Sequence, residues 1–208
     1  MLEVESTAKS IGAAPTTDYM DGSPKYTVPI IHDSTTGRVV SDSFKIAEYL
    51  DETYPDTPRI IPAGTRMLQL SFCTSVYANV VPILPIIRPL TAANFGLPPD
   101  VEEMLKKVYG EDATKVALTV EEQEEAWKKT VHGFKLMAQG FENGTQDDSA
   151  FVMGGANLTY ADMFTSGFLW WMKLVFGNTQ RWKDVASLGD GKLGRLLEET
   201  LTLCAMSA

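Results

Sequence analysis

Hydrophobic positions along this chain change their spacing near residue 60. Before it, Val28-Pro29-Ile30-Ile31 and Arg38-Val39-Val40 are short β-branched runs, separated by the polar loop Asp33-Ser34-Thr35-Thr36-Gly37 with its glycine late. That pattern predicts a β-hairpin. Ser41-Asp42-Ser43, all N-cap residue types, then precede Phe44, Ile46, Ala47 and Leu50 at helical spacing, and Pro55 follows the end. The expected order is strand, strand, helix.

Beyond the loop from Pro55 to Thr65 the period becomes helical and stays so. One helix is expected over 66–80, broken near Pro82, Pro85 and Pro89, and a second over about 100–109. Thr119 and Glu122 fit a capping box that opens a third, in which Glu124/Lys128 and Glu125/Lys129 are i,i+4 pairs on a solvated face. Thr159-Tyr160-Ala161-Asp162 fits another box, with Leu158 and Met163 placed as a hydrophobic staple, leading into the apolar run from Phe164 to Phe176. A helix so apolar is expected to be buried nearly all round. A last helix is expected over Leu193 to Cys204. The plan is an α-dominated α+β chain, with a small mixed unit over 1–58 and an all-α unit over 66–208.

Composition narrows the classes. The 208 residues are 44% hydrophobic and 22% charged, with 11 Pro and 16 Gly, as in an ordinary folded protein. A net charge of -9 with no Lys/Arg cluster argues against nucleic acid and against anionic membrane surfaces as partners. The apolar stretch from Val80 to Ile87 is interrupted by Pro82 and Pro85 and is short for a bilayer span. Cys73 and Cys204 fit reduced thiols, and the opening MLEVESTAKS has no signal-peptide character, so a cytoplasmic location is expected. On that view the triplets Asn143-Gly144-Thr145 and Asn157-Leu158-Thr159 are chance matches to the glycosylation pattern.

Several smaller signals have plain readings. Gly189-Asp190-Gly191-Lys192-Leu193-Gly194 matches a dinucleotide fingerprint but follows no strand, so it reads as a turn. His32 and His132, with two cysteines, make no metal set, and no metal is expected. His32 follows the first β run, which leaves a site role open beside a surface one. Trp170 and Trp171 point about 100° apart on one helix, so both cannot enter one core, and one is expected to line a cleft or interface.

Three motifs taken together resemble a known family, the cytosolic glutathione transferases. They are Val28-Pro29, the run Ser41-Asp42-Ser43-Phe44-Lys45-Ile46-Ala47-Glu48-Tyr49-Leu50, and Thr159-Tyr160-Ala161-Asp162, in the family's order over about residues 10–204. Stretches such as 10–16, 51–65 and 151–154 look closest to the fungal branch related to bacterial β-etherases. The resemblance implies a thioredoxin-like N-terminal domain and an all-α C-terminal domain, glutathione as cosubstrate or ligand, and a homodimer. It also implies a cis Pro29 that presents the Val28 backbone to the cysteinyl part of glutathione. Asp42 and Ser43 would hold the γ-glutamyl end, since a helix N-terminus receives a carboxylate and an acidic side chain suits the ammonium. Plain helix capping is the alternative role of both residues. By the same analogy Phe72 and Tyr77 are candidates for the hydrophobic acceptor pocket.

The beginning of the chain departs from that family. Only 27 residues precede Val28, fewer than a β-α-β unit needs, and Leu2 to Glu5 read as the remnant of its second strand. The first strand, the first helix and the thiol-activating residue are expected to be missing, so the catalytic residue is unknown. Thr27 stands where related proteins often carry Lys or Gln. The sheet edge at Val28 to Ile31 should then be covered by Leu2 to Glu5 or by a partner chain. The functional expectation is a transferase acting on or binding hydrophobic aromatic compounds, by conjugation or glutathione-dependent ether cleavage, with its chemistry impaired. A non-catalytic, ligandin-like binder is the alternative, and an incomplete gene of a normal transferase is a third.

Overall fold

The computed structural model describes residues 2–19, 21–96, 118–144 and 149–206. The helix expected over 100–109 and Thr145 of the first glycosylation-like triplet lie outside the described residues. The chain opens with helix α1 (Leu2–Ser10), followed by strands β1 (Thr17–Asp18) and β2 (Pro24–Lys25), which pair antiparallel. Leu2 to Glu5 are therefore helical, which corrects the reading of them as a strand remnant. Apolar and acidic residues alternate there for only four positions, too few to separate a period of 2 from one of 3.6. The helical register is decided by Ala8, 1% exposed, and by the i,i+4 pair of Lys9 with Glu5 at 2.7 Å.

The expected hairpin forms from β3 (Ile30–His32) and β4 (Val39–Ser41), with Ile30 opposite Ser41, Ile31 opposite Val40 and His32 opposite Val39. Gly37, at φ 73°, donates to Asp33 O at 2.7 Å and closes the turn with a conformation that L side chains rarely adopt. Asp33 also takes the hydroxyls of Tyr49 and Tyr54 on Oδ2, which fastens the turn to helix α2 (Ser43–Thr53) and the residue after it. First the Tyr49 hydroxyl and then that of Tyr54 hold the Asp33 carboxyl well below the usual carboxylate range.

The all-α part consists of α3 (Arg66–Val80), a 3₁₀ turn (Val81–Ile83), α4 (Leu84–Phe95), α5 (Val120–Gly144), α6 (Tyr160–Phe176), α7 (Gln180–Ala186) and α8 (Lys192–Met206). Helix α3 ends at Val80, before Pro82, as expected, whereas Pro85 and Pro89 do not break the run. Pro82 marks the 3₁₀ turn, Pro85 sits in the first turn of α4 where its missing N–H costs little, and Pro89 is tolerated inside α4. The combined stretch Arg66–Phe95 is long and apolar enough to cross a membrane by length and composition, unlike the shorter run read from the sequence. Its Val76, Val80, Ile83 and Ile87 are 0% exposed and belong to the helical core.

Helix α5 opens on the expected box, with Thr119 N–H donating to Glu122 and Glu122 N–H to Thr119 Oγ1. Glu125 pairs with Lys129 at 3.2 Å, whereas Glu124 reaches Arg181 of α7 at 2.8 Å. Gly189–Gly191 form the expected turn, joining α7 to α8 with Gly189 and Gly191 at φ 60° and 81°, and Lys192 to Gly194 already belong to α8. At the start of α6, the Asp162 carboxylate accepts from Thr159 N–H at 2.7 Å, Thr159 Oγ1 at 2.6 Å and Val152 N–H at 2.6 Å. Asp162 is 0% exposed. Burial pushes its carboxyl pKa up, against the pull of the Thr159 and Val152 donors.

Two predictions follow from these carboxylates. Asp162→Ala strands three donors in the interior, so unfolding free energy should fall by about 3 kcal/mol and Tm by about 8 °C; a thermal scan with an unchanged midpoint contradicts this. Asp33 has a folded pKa below its unfolded value near 3.8, so its stabilisation is present at neutral pH and is lost as pH falls below about 4. The gap in urea midpoint between the native chain and Asp33→Asn should therefore narrow from pH 6 to pH 3, and a gap independent of pH refutes the assignment.

Candidate functional site

The site grows from the start of α2. Asp42 is its N-cap, and its Oδ1 accepts from Phe44 N–H and Lys45 N–H, both at 3.0 Å. These are the donors of the second and third helical residues, so capping leaves the Ser43 N–H as the donor that Oδ1 does not take. Asp42 achieves this at φ 82°, ψ 125°, a region that a non-glycine residue occupies only when its surroundings hold it there. Capping and site geometry are thus the same feature. The Val28–Pro29 bond is cis, and Val28 is 67% exposed.

Beside this turn lies a cavity of about 610 Å³. Pro29 and Ser43 line one end. Ile46, Ala47 and Leu50 of α2 and Ile60 form one wall, and Tyr160, Met163, Phe164, Gly167, Phe168 and Trp171 of α6 form the other. The α6 residues recur at i, i+3, i+4, i+7, i+8 and i+11, which makes one continuous helical stripe. Helix α6 is therefore not buried all round as expected. Leu169 and Met172 face the core at 0% and 1% exposure, while Met163 is 40% exposed beside the cavity.

Aromatic rings give the wall its shape. Phe164 meets Phe168 edge-on with centroids 5.2 Å apart, and Tyr160 lies 6.2 Å from Phe164. Trp171 donates its indole N–H to Thr91 Oγ1 at 2.7 Å, which fixes the ring against α4. Of the paired tryptophans, Trp171 lines the cavity and Trp170 is 39% exposed.

Tyr160 joins the two parts of the site. Its hydroxyl lies 2.7 Å from Ser43 Oγ, and its ring packs edge-on against Phe44 at 4.9 Å. Burial is the main cause that pushes the Tyr160 pKa up, with the Ser43 hydrogen bond opposing it. Beneath them the Cys73 thiol, buried and facing the Asp162 charge, is pushed up to about 12 and stays protonated at neutral pH.

Of the residues expected at the site, the structure brings Pro29 and Ser43 to one cavity end, with Asp42 capping the helix that carries Ser43 and Val28 preceding the cis bond. Phe72 and Tyr77 are not among the cavity-lining residues. Phe72 lines a separate groove between α3 and α5, of about 330 Å³, with Asn79 and Gly133. Tyr77 is 46% exposed, and its ring centroid lies 6.2 Å from that of Phe168. His32, whose site role stood open, is exposed on β3. One of Trp170 and Trp171 was expected to line a cleft, and it is Trp171 that does so, whereas Tyr160 and Phe164 were not assigned to the site from sequence. The signal that could have found them is the i,i+4 aromatic stripe beginning at the capping box.

Comparison with known proteins accords with this geometry. Residues 3–53 match the glutathione S-transferase N-terminal domain and residues 68–203 the glutathione S-transferase C-terminal domain. The crystal structure of the glutathione S-transferase CsGST63524 of Ceriporiopsis subvermispora, in complex with glutathione, is 36% identical, with 94% of this chain and 78% of that one covered at a TM-score of 0.81. CsGST83044 of the same organism, also in complex with glutathione, is 31% identical with 97% and 82% covered and a TM-score of 0.83. Glutathione transferase GSTFuA2 from Phanerochaete chrysosporium is 29% identical, covering 95% and 79% at a TM-score of 0.80. Comparison with curated protein sequences returns no significant match. The fold is that of a glutathione transferase, a small sheet-bearing region followed by an all-helical domain. This chain belongs to the glutathione S-transferase family.

The position of Trp171 makes it a reporter. A hydrophobic aromatic probe that enters the cavity should quench tryptophan emission in the native chain and in Trp170→Phe, and should lose most of that quenching in Trp171→Phe. Full quenching retained by Trp171→Phe would place the probe elsewhere.

Proposed function

We propose that the chain binds glutathione at the start of α2 and holds a hydrophobic aromatic compound in the adjoining cavity, with slow conjugation between them. The observation that carries this reading is that Ser43, at the N-terminus of a capped helix, also lines the apolar cavity. The γ-glutamyl carboxylate takes the Ser43 N–H and hydroxyl, the ammonium faces the Asp42 carboxylate, and the cysteinyl backbone lies along Val28. The acceptors suited to the aromatic wall are aryl ethers and other uncharged aromatic electrophiles, in keeping with the resemblance to fungal transferases related to β-etherases.

Slow conjugation follows from the groups at hand. A free thiol with a pKa of about 8.5 is mostly protonated at neutral pH, and faster chemistry requires a donor that stabilises the thiolate. Among the described residues lining the cavity, the hydroxyls are those of Ser43 and Tyr160, and they bond to each other. That engagement favours binding over turnover, so a ligandin-like role is the second reading. Both readings take the protein as cytoplasmic, where thiols stay reduced, and as a homodimer that covers the exposed Val28 edge.

Calorimetric titration with glutathione tests the assignment. Ser43→Ala should weaken binding about tenfold, the loss of one hydrogen bond to a charged group. An unchanged Kd removes Ser43 from the site, and rapid conjugation of an aromatic electrophile that Ser43→Ala abolishes overturns the slow-chemistry reading.

A further inference from the structure

The contact between Ser43 and Tyr160 has one proton between two oxygens. Either hydroxyl can be the donor at their 2.7 Å separation, and both residues line the cavity. A hydroxyl has one proton to give and two lone pairs to receive, so two arrangements exist. When Tyr160 donates to Ser43, the Ser43 proton is left for an anion at the start of α2, and Tyr160 presents only lone pairs to the cavity. When Ser43 donates to Tyr160, the Tyr160 proton turns to the cavity, and the anion loses a donor.

The oxygens themselves are held. The Tyr160 N–H donates to Ile60 O at 2.7 Å, and its ring stands at 86° to Phe44. Ser43 is fixed as the first residue of α2 by the Asp42 cap. The proton can reverse where the heavy atoms cannot, and a ligand at either end selects between the same two arrangements.

We infer that Tyr160 is a positioning residue that couples the two ends of the site: a phenol or other hydrogen-bond donor in the cavity strengthens glutathione binding at Ser43, and an acceptor-only ligand opposes it. This rests on the reading that glutathione docks at Ser43. With a phenol bound, a chain runs from the phenol to Tyr160, to Ser43, to the carboxylate, every donation in one direction, and successive bonds polarise one another. With an acceptor-only ligand, Tyr160 is asked to donate both ways with one proton. The coupling is reciprocal, so glutathione must tighten the phenol by the same factor.

The experiment titrates glutathione calorimetrically into the full chain alone, then saturated with 2-naphthol, then with 2-methoxynaphthalene. The two probes share a ring system and differ in whether they can donate. The glutathione Kd should tighten about fivefold with 2-naphthol and stay level or weaken with 2-methoxynaphthalene, and Tyr160→Phe should erase the difference while still binding 2-methoxynaphthalene. Equal effects of the two probes on the native chain overturn the inference without recourse to any variant, as does a difference that survives in Tyr160→Phe. If glutathione alone fails to bind, the glutathione reading falls and takes this inference with it.

Discussion

The first turn of α6 must find partners for backbone N–H groups that have none within the helix, and the rest of the site depends on where they come from. Tyr160 N–H goes to Ile60 O at 2.7 Å, Ala161 N–H to the Gln69 side chain at 2.9 Å, and Asp162 and Met163 N–H to Thr159 O. Gln69, 0% exposed on α3, returns its amide to Ile60 O and to Thr65 Oγ1. Residues 60 and 61 are in turn held by the buried Asp51 of α2, which accepts from Ile60 N–H at 3.1 Å and Ile61 N–H at 2.8 Å. One set of backbone donors thus ties α2, the connecting loop, α3 and α6 into a single frame. Polar groups this deep are costly to leave unmet, so the frame has little freedom to open.

That frame decides the distance between an anion-receiving helix end and an apolar wall. Phe44, Ala47, Ile61, Cys73, Tyr160 and Ala161 fill the space between the two parts of the chain as a core of their own. Above it, the α6 stripe and the outward face of α2 are kept apart and leave the cavity. The same burial that builds this seam raises the pKa of Tyr160 and of Cys73, so the seam supplies neutral donors and no thiolate. Its chemistry is that of holding and orienting, and any reactive thiol has to come from the ligand.

Electrostatics are arranged with a like economy of charge. Arg66 pairs with Glu48 and lies over the Phe44 ring at 5.4 Å, bridging α3 and α2 outside the cavity. Asp33 is kept ionised at the hairpin turn by two tyrosine hydroxyls, with Arg38 over the Tyr49 ring at 5.0 Å. Among the described residues lining the cavity none carries a charged side chain, which leaves Asp42 and the dipole of α2 to set the polarity at its end.

The local grammar of the chain was legible in the residues themselves. The hairpin around Gly37, the caps at Asp42, Thr119 and Thr159, and the Gly189–Gly191 turn all rest on interactions within a few positions, where side-chain chemistry and backbone dihedrals suffice. Leu2 to Glu5 escaped because four residues carry too little period, and Pro85 and Pro89 of α4 because position within a helical turn decides what a missing N–H costs. The Tyr160–Ser43 bond and the Gln69 bridge span 117 and 92 positions, and neither they nor the cavity could be read locally. A helix apolar on every side does not announce which face meets a void. Only the packing of α6 against α3 and α2 settled that its aromatic stripe faces a ligand-sized space, because a cavity is made by what neighbouring elements fail to fill.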